Sequence, residues 1–171
     1  MASLNANNQT ITFCGVGAHH RNGIVEQRIP TVTEIARTVL LHAQRNWPEC
    51  VDTIIWTFDV KAASERLNFL QLDLDGNAPT AKLYNIKNIK PNAHKYHTFG
   101  CPFYVLNYKL HSGSIGPPKW YPRSRVGVYL GHYPMHVGSL ALVITPVIGY
   151  VSPQYHVLYE KTLLTVLHMR D

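Results

Sequence analysis

The first acidic residue of the chain is Glu26, and it follows Asn22-Gly23 at a change from loop-like to helix-like sequence. A carboxylate at such a place is held by the positive end of a helix and could face a cleft. Holding a divalent ion there would take several oxygen ligands. Residues 1–25 contain no Asp or Glu, so nothing upstream of Glu26 can supply them. A second candidate is His94-x-x-His97-x-x-x-Cys101, two imidazoles and a thiol at zinc-like spacing but with no evident fourth ligand. A buried cysteine with surface histidines is the expectation there. A third is the run Lys119, Trp120, Tyr121, Arg123, Arg125, which interleaves cations with rings. Cations contact phosphates, and exposed rings stack on unpaired bases.

The charge distribution supports the third candidate. Residues 1–75 hold 6 Lys/Arg and 8 Asp/Glu, whereas residues 76–159 hold 8 Lys/Arg and no acid. All ten Tyr and nine of the eleven Pro also lie in the second stretch. A segment bearing only positive charge attracts polyanions and loses that attraction as salt rises. The break falls at Asp75-Gly76-Asn77-Ala78-Pro79, which reads as a turn. Three distant cysteines, Cys14, Cys50 and Cys101, do not form a disulfide framework and fit a reducing nuclear or cytoplasmic setting. The polar Met1–Thr10 stretch has no apolar core of a signal peptide, and no run is long enough to span a membrane.

The elements that would position these residues follow from periodicity. Ile11–Cys14 is a candidate short strand, followed by a small, polar loop. Val32, Ile35, Ala36, Val39, Leu40 and Ala43 recur at helical spacing, with Arg37, His42 and Arg45 off the stripe. Pro48 suits the first position of a second helix, with Glu49 and Asp52 in its first turn and Val51, Ile54, Ile55, Phe58, Ala62 and Leu67 as its apolar stripe. The two helices are expected to pair antiparallel. Beyond residue 96 the period falls to two. Candidate strands are Phe103–Asn107, Arg125–Gly131, Leu140–Thr145 and Gln154–Tyr159, separated by Gly/Pro turns that suggest a small barrel. Tyr104, Tyr129 and Tyr155 fall inside strands and are expected to pack in it, whereas Trp120 sits in a loop.

Several runs resemble one family in the same order. His20–Glu26 and Thr31–Thr38 look like the end of the integrase core of copia-type retrotransposons, with its Asn-Gly-x-x-Glu and Thr-x-x-Glu-x-Ala-Arg-Thr runs. Trp47-Pro48-Glu49, Leu67-Asn68, Ala78-Pro79-Thr80, Phe99–Val105, Arg123–Gly131 and Val151–Val157 follow, over about residues 14–160. The resemblance implies an α+β chain: a helical pair left from the end of an RNase-H-like core, then a small SH3-like β-barrel. The corresponding divisions are 1–75 (loop and two helices of the core), 76–95 (linker), 96–160 (barrel) and 161–171 (tail).

By the same resemblance Glu26 matches the last of three metal-holding carboxylates, and Asn22 lies in the loop shaping the approach to it. The intact family uses Mg²⁺ or Mn²⁺ for DNA strand transfer. With one carboxylate of three, an incomplete metal site at Glu26, this chain is expected to bind neither ion tightly and not to catalyse integration alone. Gln27 stands where the family has Arg, and Pro30 where a basic residue is common. Proline there removes a hydrogen bond to the Glu26 carbonyl, at about 3 kcal/mol once a helix has begun, so either the helix starts near Pro30 or Glu26 is displaced. DNA is the implied partner, contacted by Arg21, Arg28, Lys109, Lys119, Trp120, Arg123 and Arg125. Self-association, or association with other parts of a polyprotein, would cover a helical stripe that lacks its sheet; no membrane partner is expected. The competing expectations are a protein-interaction module docking a polyprotein or host partner, and a retroelement relic without function.

Overall fold

The computed structural model describes residues 15–17, 22–85, 96–107, 110, 118–133, 140–160 and 162–168. The expected strand at 11–14 lies outside them, as do Arg21, His94 and Lys109. The chain divides into two compact units, 1–31 and 32–171. The described part of the first is a short turn and the opening turns of helix α1 (Gly23–Asn46). Of the two alternatives at Pro30, a helix start there is excluded: the helix is under way seven residues earlier and Pro30 lies inside it. Pro30 offers no N–H to the Glu26 carbonyl. Thr31 Oγ1 instead donates to the neighbouring Gln27 carbonyl at 3.0 Å.

In the second unit α1 continues with Ala36 and Ala43 buried and Arg37, His42 and Arg45 exposed, as the period requires. Pro48 does not begin the next helix. Trp47–Cys50 extends α1 by one loose turn, with Val51 N–H donating to the Trp47 carbonyl at 2.9 Å. Asp52 then caps a 3₁₀ turn (Thr53–Ile55) by accepting from Ile54 N–H at 2.8 Å, and helix α2 (Trp56–Phe69) follows. An aspartate with a free side chain organises a helix start better here than a proline without one. Ile54, placed on the buried stripe by spacing, is 79% exposed because the 3₁₀ turn rotates it outward.

A five-stranded antiparallel sheet comprises β1 (Pro102–Leu106), β2 (Ser124–His132), β3 (Ala141–Thr145), β4 (Tyr150–Gln154) and β5 (Val157–Tyr159). Their order is β4-β3-β2-β1-β5. The first three match the expected strands to within a residue or two. The fourth expected strand, Gln154–Tyr159, is broken at Tyr155-His156, and its halves lie on opposite edges of the sheet. Gln154 and Val157 are three Cα steps apart, a reach of about 11 Å. Edge strands of a flat five-stranded sheet stand about 19 Å apart. The sheet must therefore curl. Pro153 is tolerated because β4 is an edge.

Both faces of the curled sheet are apolar, and the strands alternate between them. Phe103, Val105, Tyr129, Ala141 and Val143 meet Cys101 on the inner face. Val128, Leu130, Leu142 and Ile144 meet Ala43, Trp47, Val51 and Ile55 on the outer one. The helical stripe is thus covered by the sheet, which corrects the expectation of an exposed one. The two long helices share one apolar cluster, Val39, Leu40 and Ala43 with Ile55, Phe58 and Ala62, and α2 packs as well on β2 and on the short helix α3 (Pro79–Leu83). α3 lies within the segment expected as linker. Helix α4 (Leu164–His168), in the expected tail, puts Val166 into the outer core. Among the described residues no helix is long and apolar enough to cross a membrane.

Two glycines set the fit. Gly100 has φ +80°, and a Cβ there would stand 2.7 Å from Ala43 Cβ. Its carbonyl accepts from the buried Trp47 indole N–H at 2.8 Å, and its own N–H donates to the Tyr129 carbonyl at 2.8 Å. The end of α1 is thereby tied to the sheet. At Gly127 a Cβ would stand 2.2 Å from Val143 Cγ1. Gly127→Ala is expected to destabilise the protein by about 1–3 kcal/mol through overpacking. In urea denaturation the Gly127→Ala/Val143→Ala double variant should lose less than the sum of the single losses, by about 1 kcal/mol or more. Strict additivity would show that the inner face is not packed as described.

Candidate nucleic-acid interface

The acid-free, ring-rich segment converges at one end of the sheet. β1 and β2 are joined by a long connection whose base is closed by Asn107 N–H donating to the Arg123 carbonyl at 2.9 Å. On its return limb Tyr121 N–H donates to the Pro118 carbonyl at 2.9 Å, forming a turn that carries Lys119 and Trp120 at its tip. Trp120 is 91% exposed, and Lys119 Nζ lies 5.6 Å from its ring centroid. A cation over a solvent-exposed indole contributes only about 0.5–1 kcal/mol, and the exposed indole keeps ring surface available to other contacts. Tyr121, Arg123 and Arg125 are also exposed. Arg125 stands opposite Val105 in the first rungs of β2.

The bend between β4 and β5 reaches the same end. Leu106 N–H donates to the His156 carbonyl at 3.1 Å, which fixes Tyr155-His156 beside the end of β1. Tyr155 is 60% exposed, a correction to its expected place inside a strand and core; Tyr129 is buried as expected, and Tyr104 is half-buried. The Tyr104 hydroxyl bonds the Thr165 hydroxyl and lies 3.5 Å from Glu160. Glu160 in turn accepts from the Thr165 hydroxyl, from Thr165 N–H at 3.0 Å and from the Thr162 hydroxyl at 3.2 Å. These donors hold its carboxyl below the usual range. The carboxylate is thus engaged in anchoring α4 and stays ionised. Nothing in the period-two pattern marked it.

The other predicted site residues do not assemble. Asn22, Glu26 and Arg28 are exposed in the first unit, and among the described residues no three His, Cys, Asp or Glu side chains converge to hold a metal. His97 stacks on Tyr159 and presents its edge to Phe103 and Tyr129. Burial pushes the Cys101 thiol up to about 12 and the Cys50 thiol up to about 11, so neither is a thiolate near neutral pH. Compared with protein-family models, with curated proteins and with solved structures, the chain matches none.

One buried acid escaped the sequence reading. Asp59 lies on the stripe Ile55, Asp59, Ala63, Leu67 at four-residue steps and is 1% exposed. Neither carboxyl oxygen has a hydrogen-bond partner among the described residues. Desolvation raises its pKa to about 7. The folded state therefore binds this proton more tightly than the unfolded chain. The associated stability is complete below about pH 4 and is lost as pH rises through about 7. Asp59→Asn is expected to stabilise the protein at pH 8 by up to about 4 kcal/mol and to change little at pH 4. Urea midpoints at the two pH values check this; an equal effect at both would contradict it.

Proposed function

We propose that this chain is a nucleic-acid-binding piece of a copia-type retrotransposon integrase, with residues 96–160 as an SH3-like barrel and with its catalytic role incomplete. The observation that carries the reading is the gathering of Lys119, Trp120, Arg123 and Arg125 at one end of the sheet, all exposed, within a segment free of Asp and Glu. The curl forced by the β4–β5 link supports the barrel assignment. Within this chain no carboxylate precedes Glu26, and Glu26 itself is exposed, so this piece by itself lacks the three-carboxylate set. DNA is the expected partner, bound by phosphate contacts that carry affinity without sequence information.

Three phosphate contacts from Lys119, Arg123 and Arg125 predict a log–log salt slope of about −2.7 on duplex DNA, or roughly 40-fold weaker binding at 200 mM than at 50 mM salt. Arg123→Ala should flatten that slope by about 1. Fluorescence anisotropy with a labelled 20-bp duplex reads both. No binding at 50 mM salt would overturn the reading in favour of a protein-docking module. In a strand-transfer assay with Mg²⁺ or Mn²⁺ the chain is expected to be inactive; activity abolished by Glu26→Gln would contradict catalytic incompleteness.

A further inference from the structure

The turn at Pro118–Tyr121 carries one large apolar side chain at its tip, and every residue from Pro118 to Arg125 is exposed. Tyr121 N–H on the Pro118 carbonyl closes the turn. Pro118 and Pro122 bracket it, each with φ fixed by its ring, so the tip is held in one shape before any partner arrives. At 91% exposure the Trp120 indole is packed on neither face. Lys119 Nζ, 5.6 Å from the ring centroid, brings a positive charge to whatever meets the ring. The ionised Glu160 does not answer that charge. Its N–H donates to the Pro102 carbonyl at the start of β1, whereas the connection bearing the turn leaves from Asn107 at the other end, about 16 Å along the strand.

We infer that Trp120 fills an interrupted step of a DNA duplex, such as a one-nucleotide gap, with its ring between the flanking base pairs and Lys119 on an adjoining phosphate. The inference rests on the DNA-binding reading and adds the class of DNA. Residues 118–125 hold three cations and no acid, which selects a polyanion, and a nucleic acid is the polyanion that offers flat faces to a ring. Magnitudes then decide among nucleic acids. Stacking on an aromatic ring strengthens binding by about 5- to 150-fold per base. In an intact duplex that gain is offset by prying apart two stacked pairs, which costs as much or more. A gap removes this cost: losing one nucleotide leaves about 6.8 Å between its neighbours, two rises of about 3.4 Å and room for one ring. A single strand must be ordered to set a base on each side of the indole, whereas the pairs flanking a gap are already in place.

Fluorescence anisotropy of the full chain at 50 mM salt tests this with three labelled probes: a 20-bp duplex, the same duplex lacking one internal nucleotide, and its single strand. The gapped duplex should bind at least about 5-fold more tightly than either of the others. Trp120→Ala should bring gapped and intact duplexes within about 2-fold of each other, while Trp120→Phe keeps a preference because a flat ring remains. Trp120 belongs to neither core, so its variants fold as the parent does. Equal binding of gapped and intact duplexes, or a gap preference that survives Trp120→Ala, overturns the insertion while duplex binding keeps the broader reading. Tightest binding of the single strand overturns the interrupted duplex as the occupant. Failure of every probe to bind overturns the DNA-binding reading itself.

Discussion

Two residues, Tyr155 and His156, carry the chain from one edge of the five-stranded sheet to the other. That short link is the constraint from which the rest of the second unit follows. It curls the sheet, and a curled sheet has an inside that must be filled. Phe103, Tyr129 and Val143 fill it, with the Phe103 and Tyr129 rings nearly parallel at 5.1 Å. Gly127 supplies the room, since no side chain fits between Val143 and Val105 at that rung. The outer face must also be covered, and α1, α2 and α4 pack on it. The same bend that closes the sheet leaves Tyr155 exposed beside the end of β1.

Helix α1 meets the chain leading into the sheet at a close backbone approach. Ala43 against Gly100, with the Trp47 indole on the Gly100 carbonyl, lets backbone meet backbone. An unpaired buried carbonyl would cost about 1–3 kcal/mol, so this hydrogen bond specifies the docking angle as well as stabilising it. Asp59 opposes the same packing. A carboxyl group on a buried helical stripe is retained against a desolvation penalty, and its protonation relieves that penalty. Glu160 works in the opposite sense: its donors favour the charged form, and it fastens the last helix to the end of β1.

Much of this was legible in residue order. The stripe from Val32 to Ala43, the strands around Val105, Val128 and Val143, and the acid-free basic segment were read from spacing and charge. The misreadings have definite causes. Gln154–Tyr159 alternates like one strand, and alternation carries no information about which edge a strand joins. Pro48 was read as a helix start when Asp52, a capping residue four positions later, was the stronger signal. Asp59 sits four residues from Ile55 and from Ala63, so its burial was implicit in the spacing once the stripe was placed. The docking of helices on sheet depends on contacts between Ala43, Trp47 and Gly100, more than fifty residues apart, which no local pattern encodes. Glu26 carried the expected chemistry by position in a motif, yet a motif supplies one ligand and leaves the others to the fold.

On the reading proposed above, the end of the sheet that carries Trp120 and Arg123, and not the helical start, meets DNA. Titration of ¹⁵N-labelled protein with a 20-bp duplex, followed by amide and indole chemical shifts, tests it most directly. The predicted result is that the largest changes fall on the Trp120 indole and on Lys119, Arg123 and Arg125, while the amides of Glu26, Arg28 and α2 stay in place. Shifts concentrated around Asn22–Arg28, with the Trp120 indole unmoved, would contradict it.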